Sequence, residues 1–446
     1  MARLLIVAGV IGVAAPAFAE ERTLSLDDAL AHGLSASESM MIARAEVDRT
    51  RAQVVGARAG YLPTVDGTAA YQRTLRSEFE DISFGAPGAG TADLPFGQRN
   101  NWRIGLVVSQ PLFDGFRTPS AVAQAKSIAR GAALGVRETR AQVVLAVTEA
   151  YYEAALAQRQ VEIAEVTLQQ ADETLAETKL SFEQGAAPEF DLVRAVVARD
   201  NQATLLVQFR AQRDVAFVQL RRRVGVRLDA PVVLSTKLEA DDLEQVIAVA
   251  LRAAGLAHET GRLVVARAKE FVAARDAGVR RAQAELLPTI AAGSDFGLVN
   301  YQRSPFDDGW RTNWTIGITL TLPIFDGLRR HAQIASSKAE LAAAKAELAA
   351  TIEVSAVETA QAAADVTAAA TTLETNKRTV GQAKRAYEIA ELRFQQGAST
   401  HLELVDARVQ LEQSLLIQAR SSRDLRVARV RQALLPGLPL VAAGGF

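Results

Sequence analysis

Two carboxylates, Glu403 and Asp406, stand out in the run "HLELVDARVQ" that starts at His401. A spacing of three places both on one face of a helix. Acids near a helix start are also favoured by the helix dipole, so a solvated pair and a functional pair both remain open on the residues alone. Asp191 opens "DLVRA" 212 positions before Glu403 opens "ELVDA". The histidines, His32, His258, His331 and His401, lie far apart without metal-ligand spacing and read as ordinary surface or interface residues. Arg221, Arg222 and Arg223 form a basic run at a helix end, where cations suit the dipole. No G-x-x-x-x-G-K-[ST], G-x-S-x-G or H-E-x-x-H occurs, so we expect no enzyme, no cofactor and no metal.

The elements that carry these residues follow from the whole chain. It has 446 residues, a formal net charge of −1, no cysteine, and 49% hydrophobic residues, many of them alanine. Balanced charge gives no basis for nucleic acid as a partner, and the lack of cysteine excludes disulfides and thiolate metal sites. Residues 1–19 have the pattern of an export signal: Arg3, the apolar run "LLIVAGVIGVAA", and Ala17-Phe18-Ala19 before Glu20. No later stretch is long and apolar enough for a transmembrane helix, so an exported chain would stay soluble or enter a membrane as β-strands.

The sequence is duplicated. "NWRIGLVVSQPLFDGFRT" from Asn101 recurs as "NWTIGITLTLPIFDGLRR" from Asn313, 212 positions later, and "FEQGA" from Phe182 recurs as "FQQGA" from Phe394 at the same offset. "YLPTV" from Tyr61 pairs with "LLPTI" from Leu286 at 225 positions. The 13 extra residues fall where the first half has "FGAPGAGTADLPFGQ", a Gly/Pro-rich run expected to project into solvent. The first repeat (20–225) is expected to hold strands at about 63–75 and 101–112 and long helices at 118–182 and 188–223. The second (226–446) is expected to hold strands at about 288–299 and 312–323, helices at 328–394 and 400–433, and a C-terminal tail ending at Phe446. A helix of about 65 residues extends for roughly 100 Å, with apolar residues every three to four positions as in coiled-coil-like packing.

Each marked strand alternates with period two. Trp102, Ile104, Leu106 and Val108 make one apolar face, as do Trp314, Ile316, Ile318, Leu320 and Leu322. One such strand fits a soluble sandwich. Joined to an export signal and very long helices, it fits a membrane β-barrel with Trp102 and Trp314 at the interface. Four strands cannot close a barrel, and lipid does not tolerate open edges, so several copies must pool them; three would give twelve. In each Pro-x-Phe-Asp-Gly, Pro111 or Pro323 is expected to end the ladder, Asp114 or Asp326 to cap the following helix, and Gly115 or Gly327 to relieve the bend. Gly185 and Gly397 fall where a helical hairpin needs positive φ. Phe182 and Phe394, three residues earlier, are expected to pack inside the hairpins, with contact to a partner protein as the alternative.

In these features the chain resembles the TolC-type outer membrane efflux proteins. The likeness covers the duplicated halves, the strand-to-helix "PLFDG" and "PIFDG", and the turn motifs "FEQGAAPEFDLV" and "FQQGASTHLELVDA". It implies a mainly α fold with a membrane β-barrel: a homotrimer whose four strands per protomer close a twelve-stranded barrel, above a long α-helical barrel crossing the periplasm. An equatorial belt would come from the segment near Thr23 and from about 230–256. The implied role is a passive exit duct in the cell outer membrane, embedded in its lipid. A periplasmic adaptor (membrane fusion protein) and an inner-membrane pump would serve it, with small-molecule efflux ahead of type I protein secretion. A non-conducting envelope tether disagrees with the polar alternate positions of the strands. The resemblance also implies that Glu403 and Asp406 face the pore at a constriction. It places Asp191 in a contact that locks neighbouring hairpins, but the arginine partner position is Ser399 here, so a closed state would rest on different or weaker contacts.

Overall fold

The computed structural model describes residues 22–76, 98–227, 231–396 and 398–440. The proposed export signal, the Gly/Pro-rich run up to Gly97, Gly397 and Phe446 lie outside them. The chain divides into two compact units, one of residues 1–43, 136–264 and 353–446 and one of residues 44–135 and 265–352.

The second unit is organised by a four-stranded antiparallel sheet. Strands β2 (Thr64–Arg73), β3 (Asn100–Phe113), β5 (Thr289–Asn300) and β6 (Arg311–Thr321) lie in that order, each pairing with its neighbour. β2 and β6 are therefore edges within one chain. Trp102 stacks on Tyr71 with ring centroids 4.0 Å apart, and Trp314 donates from Nε1 to Ser294 Oγ at 3.0 Å. Ile316 and Ile318 on β6 are 83% and 73% exposed, so this apolar face has no cover among the described residues.

The strands β3 and β6 lead into helices with an aspartate at each helix start. Asp114 Oδ2 accepts from the Thr118 N–H at 2.6 Å at the start of α3 (Arg117–Glu183), and Asp326 Oδ2 accepts from the Arg330 N–H at 3.1 Å at the start of α7 (Arg329–Gln395). Each helix has 67 residues. Pro111, however, does not end the ladder. β3 continues through it to Phe113, opposite Ala291 and Ile290, with a register shift between Pro111 and Phe113. A bulge tolerates a residue without an N–H, and β5 still supplies a partner there. β6 does stop before Pro323, at Thr321.

Gly115 and Gly327 both have positive φ, 65° and 69°, but their surroundings differ. A Cβ on Gly115 would stand 2.7 Å from the Ala284 carbonyl oxygen and 2.8 Å from Leu287 Cβ, whereas a Cβ on Gly327 would meet nothing. Gly327→Ala is expected to cost about 1 kcal/mol from backbone strain, and Gly115→Ala roughly 2–3 kcal/mol once backbone atoms must also shift. Thermal unfolding of the two variants would check the order; equal losses would contradict it.

The first unit begins with a short parallel pair, β1 (Arg22–Leu24) with β4 (Val232–Leu234). Beside it lie α1 (Leu26–Ala36), capped by Ser25 Oγ accepting the Asp28 N–H at 3.2 Å, and α5 (Leu243–Ala254), which packs on α1. Helices α2 (Glu38–Arg58) and α6 (Leu263–Ala284) belong mostly to the sheet-containing unit. The core is built at helical spacing from Val144, Val147 and Tyr151 on α3, Leu220 and Val224 on α4 (Glu189–Val224), and Val430 and Leu434 on α8 (His401–Leu434). The Tyr151 hydroxyl donates to the Leu24 carbonyl at 3.1 Å and accepts from the Thr236 N–H at 3.4 Å, pinning the β1 and β4 segments to α3. Among the described residues no helix is long and apolar enough to cross a membrane.

Candidate gate at the helical hairpins

Two hairpins, α3–α4 and α7–α8, carry the acids singled out above. Gly185 makes the first turn with φ 73° and open space where a Cβ would stand. In the second, Thr400 caps α8, its Oγ1 accepting the Glu403 N–H at 3.4 Å. Glu403 and Asp406 are both exposed on α8, on the side away from its buried residues His401, Leu404 and Arg408. Two carboxylates one turn apart, unburied and aimed outward, are free to present negative charge to whatever lies beyond the helix.

The sequence-selected partners are not joined within the chain. The Ser399 hydroxyl donates at 3.5 Å to the Ala390 carbonyl of its own hairpin. Asp191 instead acts on His401, whose charged form it favours. Phe182 is 38% exposed rather than packed inside its hairpin. Phe394 is half-buried and meets the His401 ring edge to face at 6.0 Å.

His401 also corrects the expectation of an ordinary surface or interface histidine. It is only 5% exposed, and neither ring nitrogen has a hydrogen-bond partner among the described residues. Helix α8 continues this polar stripe. Arg408 is 3% exposed, with Nε and Nη1 unpartnered, and Glu412 is 4% exposed, with Oε1 unpartnered. Glu412 Oε2 accepts from Gln202 Nε2 of α4 at 2.9 Å. Across from them the Tyr387 hydroxyl donates to Glu391 Oε1 at 3.0 Å, and burial pushes the Tyr387 pKa up to about 12. Positions 401, 404, 408 and 412 recur at helical spacing. That signal was available in the sequence, but charged residues at such spacing read as a solvated face. Among the described residues no three His, Asp or Glu side chains gather as metal ligands.

Burial holds the His401 pKa below its ordinary 6.5, opposed by Asp191 and aided by Arg408 and Arg194. The packed hairpins therefore favour neutral imidazole. Between the depressed value and 6.5 the unfolded segment binds more protons, so stability falls as pH drops through that window. Glu412 has the opposite sign. Burial raises its pKa, against the Gln202 bond and Arg408, so acid relieves the cost of its charge. Acidification from pH 7.5 to 5.5 is expected to lower the hydrogen-exchange protection of the first turn of α8, taken relative to the intrinsic exchange rate at each pH, and His401→Phe to remove that loss of protection. An unchanged pH response in the variant would assign it elsewhere.

Long helical hairpins together with a four-stranded sheet that has one bare apolar face define the class, an outer membrane channel of the α-helical-barrel type. The same fold occurs in a membrane protein from Pseudomonas aeruginosa whose crystal structure matches with a TM-score of 0.75 at 22% identity, over 93% of this chain and 92% of that one. The chain belongs to the outer membrane efflux protein family, whose model matches residues 30–226 and 261–434. It is similar to Nodulation protein T of Rhizobium leguminosarum bv. viciae, 24% identical over 432 residues, 95% of this chain and 82% of that protein. Outer membrane protein OprJ of Pseudomonas aeruginosa is 25% identical over 169 residues, so the match spans 37% of this chain and 35% of OprJ. The family places the protein in the outer membrane and makes it a conduit rather than an enzyme.

Proposed function

We propose that three copies of this chain form a passive exit duct of a tripartite efflux system, carrying small molecules delivered by an inner-membrane pump through a periplasmic adaptor. One observation carries the reading: the sheet has two unpaired edges, β2 and β6, and a bare apolar face. Unpaired backbone at an edge is untenable in lipid. Because the sheet is antiparallel with an even number of strands, pairing β6 of one copy with β2 of the next preserves the alternation, and three copies close twelve strands. Exposed apolar residues on α7, among them Val357 and Leu392, add surface for neighbouring copies. The family description, outer membrane efflux protein, supports an efflux role, and small molecules as the cargo are part of the proposal.

The exposed pair Glu403 and Asp406 would line the mouth of the duct, three copies supplying a ring of carboxylates that favours cations. The Asp191–Ser399 position would leave the closed state to other contacts, with the buried polar stripe of α8 the nearest alternative. Light scattering of the detergent-extracted protein should give a trimer, and the trimer should conduct in a planar bilayer. Glu403→Gln with Asp406→Asn should reduce its preference for potassium over chloride. A monomer, or a sealed trimer even when the hairpin turns are opened by mutation, would favour the tether. Copurification with a protein-exporting pump would favour type I secretion.

A further inference from the structure

The strands of the sheet carry five charged residues, and four stand on one face. Register sets them in two rows. Asp66 is opposite Val107, Val107 opposite Asp295, and Asp295 opposite Thr315, so one row holds two carboxylates two strands, or about 10 Å, apart. Ala70 is opposite Arg103, Arg103 opposite Val299, and Val299 opposite Arg311, so a second row holds two guanidinium groups with the same spacing. Arg73, the fifth, is the last residue of β2 and falls on the other face. The acidic row lies nearer the strand ends that lead to α3 and α7, and the basic row nearer the opposite ends.

Four residues separate the rows on every strand, about 13 Å. That is too far for an aspartate to pair with an arginine, and none of the four has an ion-pair partner among the described residues. The two faces differ in exposure. On β5, Val299 is 7% exposed, while its neighbours Phe296 and Leu298 on the apolar face are 47% and 40% exposed. In a barrel the apolar face meets lipid, so the charged face is the inner one.

We propose that these residues form a two-band charge filter inside the barrel, with carboxylates at the helix-proximal level and guanidinium groups toward the outer mouth. The inference rests on the trimeric duct reading, in which three copies bring six charges to each band. The spacing decides whether the bands act separately. At physiological salt the Debye length is about 8 Å, shorter than the separation, so each band sets its own local potential; at 0.01 M it is about 30 Å and the two fields merge. An anion is concentrated at the outer band and repelled at the inner one, a cation the reverse. A solute that is neutral, or carries both signs, meets the smallest barrier across both. The filter thus selects against strongly charged solutes of either sign.

The absence of cysteine allows a direct test. Ala70→Cys reports on the basic row and Thr315→Cys on the acidic row, and both native positions are exposed in the chain. Each full-length trimer in detergent, at 0.15 M salt, would react with an anionic and a cationic thiosulfonate of matched size. The ratio of the two rates cancels any change in thiol acidity. We expect the anionic-to-cationic ratio at position 70 to exceed that at 315 by about tenfold or more. Arg103→Gln with Arg311→Gln should collapse the difference at 70 and spare 315; Asp66→Asn with Asp295→Asn should do the converse. Equal ratios at the two sites, or ratios indifferent to neutralisation, would overturn the filter while leaving the duct intact. If neither cysteine reacts with water-borne reagent although Ile316→Cys does, the face assignment and the duct reading fail together.

Discussion

Arg426→Met should cost about 3 kcal/mol and release the segment between β4 and α5 to proteases. The Arg426 side chain on α8 is 5% exposed and acts as a hub. Its Nη1 binds Asp242 Oδ1 at 2.6 Å, its Nε donates to the Leu238 carbonyl at 2.8 Å, and its Nη2 donates to the Ala240 carbonyl. The guanidinium also lies over the Tyr152 ring, 5.4 Å from its centroid. Removal strands Asp242 and the Ala240 carbonyl without this donor, while Leu238 keeps the Ser422 hydroxyl at 3.1 Å. Breaking a buried charge pair from one side costs about 3–5 kcal/mol. Asp242 is 28% exposed and can recover some hydration, which sets the expectation at the lower end. Thermal unfolding and limited proteolysis near residues 235–242 would measure both effects. Unchanged melting with intact protease resistance would mean that the segment is held by β4 and α5 alone.

A larger contrast is expected at Arg408 and Glu412. Both are almost fully buried, yet no ion pair joins them, and each keeps unpartnered polar atoms. Burial lowers the pKa of Arg408 and raises that of Glu412, the signature of charges held where solvent is scarce. Glu412→Leu alone removes a carboxylate that favours the Arg408 charge, leaves the Gln202 amide without its acceptor, and should destabilise the hairpins by roughly 3 kcal/mol. Arg408→Met with Glu412→Leu removes both desolvation costs and should be neutral or stabilising by about 1–4 kcal/mol. The double variant is thus expected to be more stable than the Glu412 single variant, in a cycle read by chemical denaturation or by hydrogen exchange of α8. Additive losses would show that the stripe is well solvated or well paired in the assembled protein. If the double variant is also harder to open in a bilayer, the polar stripe serves to keep the hairpins separable.

Much of the architecture follows from one-dimensional pattern. Period two around Trp102 and Trp314 identifies half-covered strands, and long runs at period 3.6, with no proline beyond Pro119 in the first turn of α3, identify the two 67-residue helices. Aspartate before glycine at positions 114–115 and 326–327 marks the caps, because a side chain four residues from an N–H finds it through local geometry alone. What the pattern left undecided depends on residues far apart in the chain. Pro111 remains in a strand because β5 extends alongside it. His401, Arg408 and Glu412 are buried because α4 and α7 cover that side of α8, whereas a lone helix with those charges would be solvated. Arg426 meets Asp242, and Asp66 shares a row with Asp295, through packing and strand register that no local periodicity specifies. Local backbone preference and side-chain spacing are written along the sequence; which distant segments exclude water from one another is set only when the chain is folded.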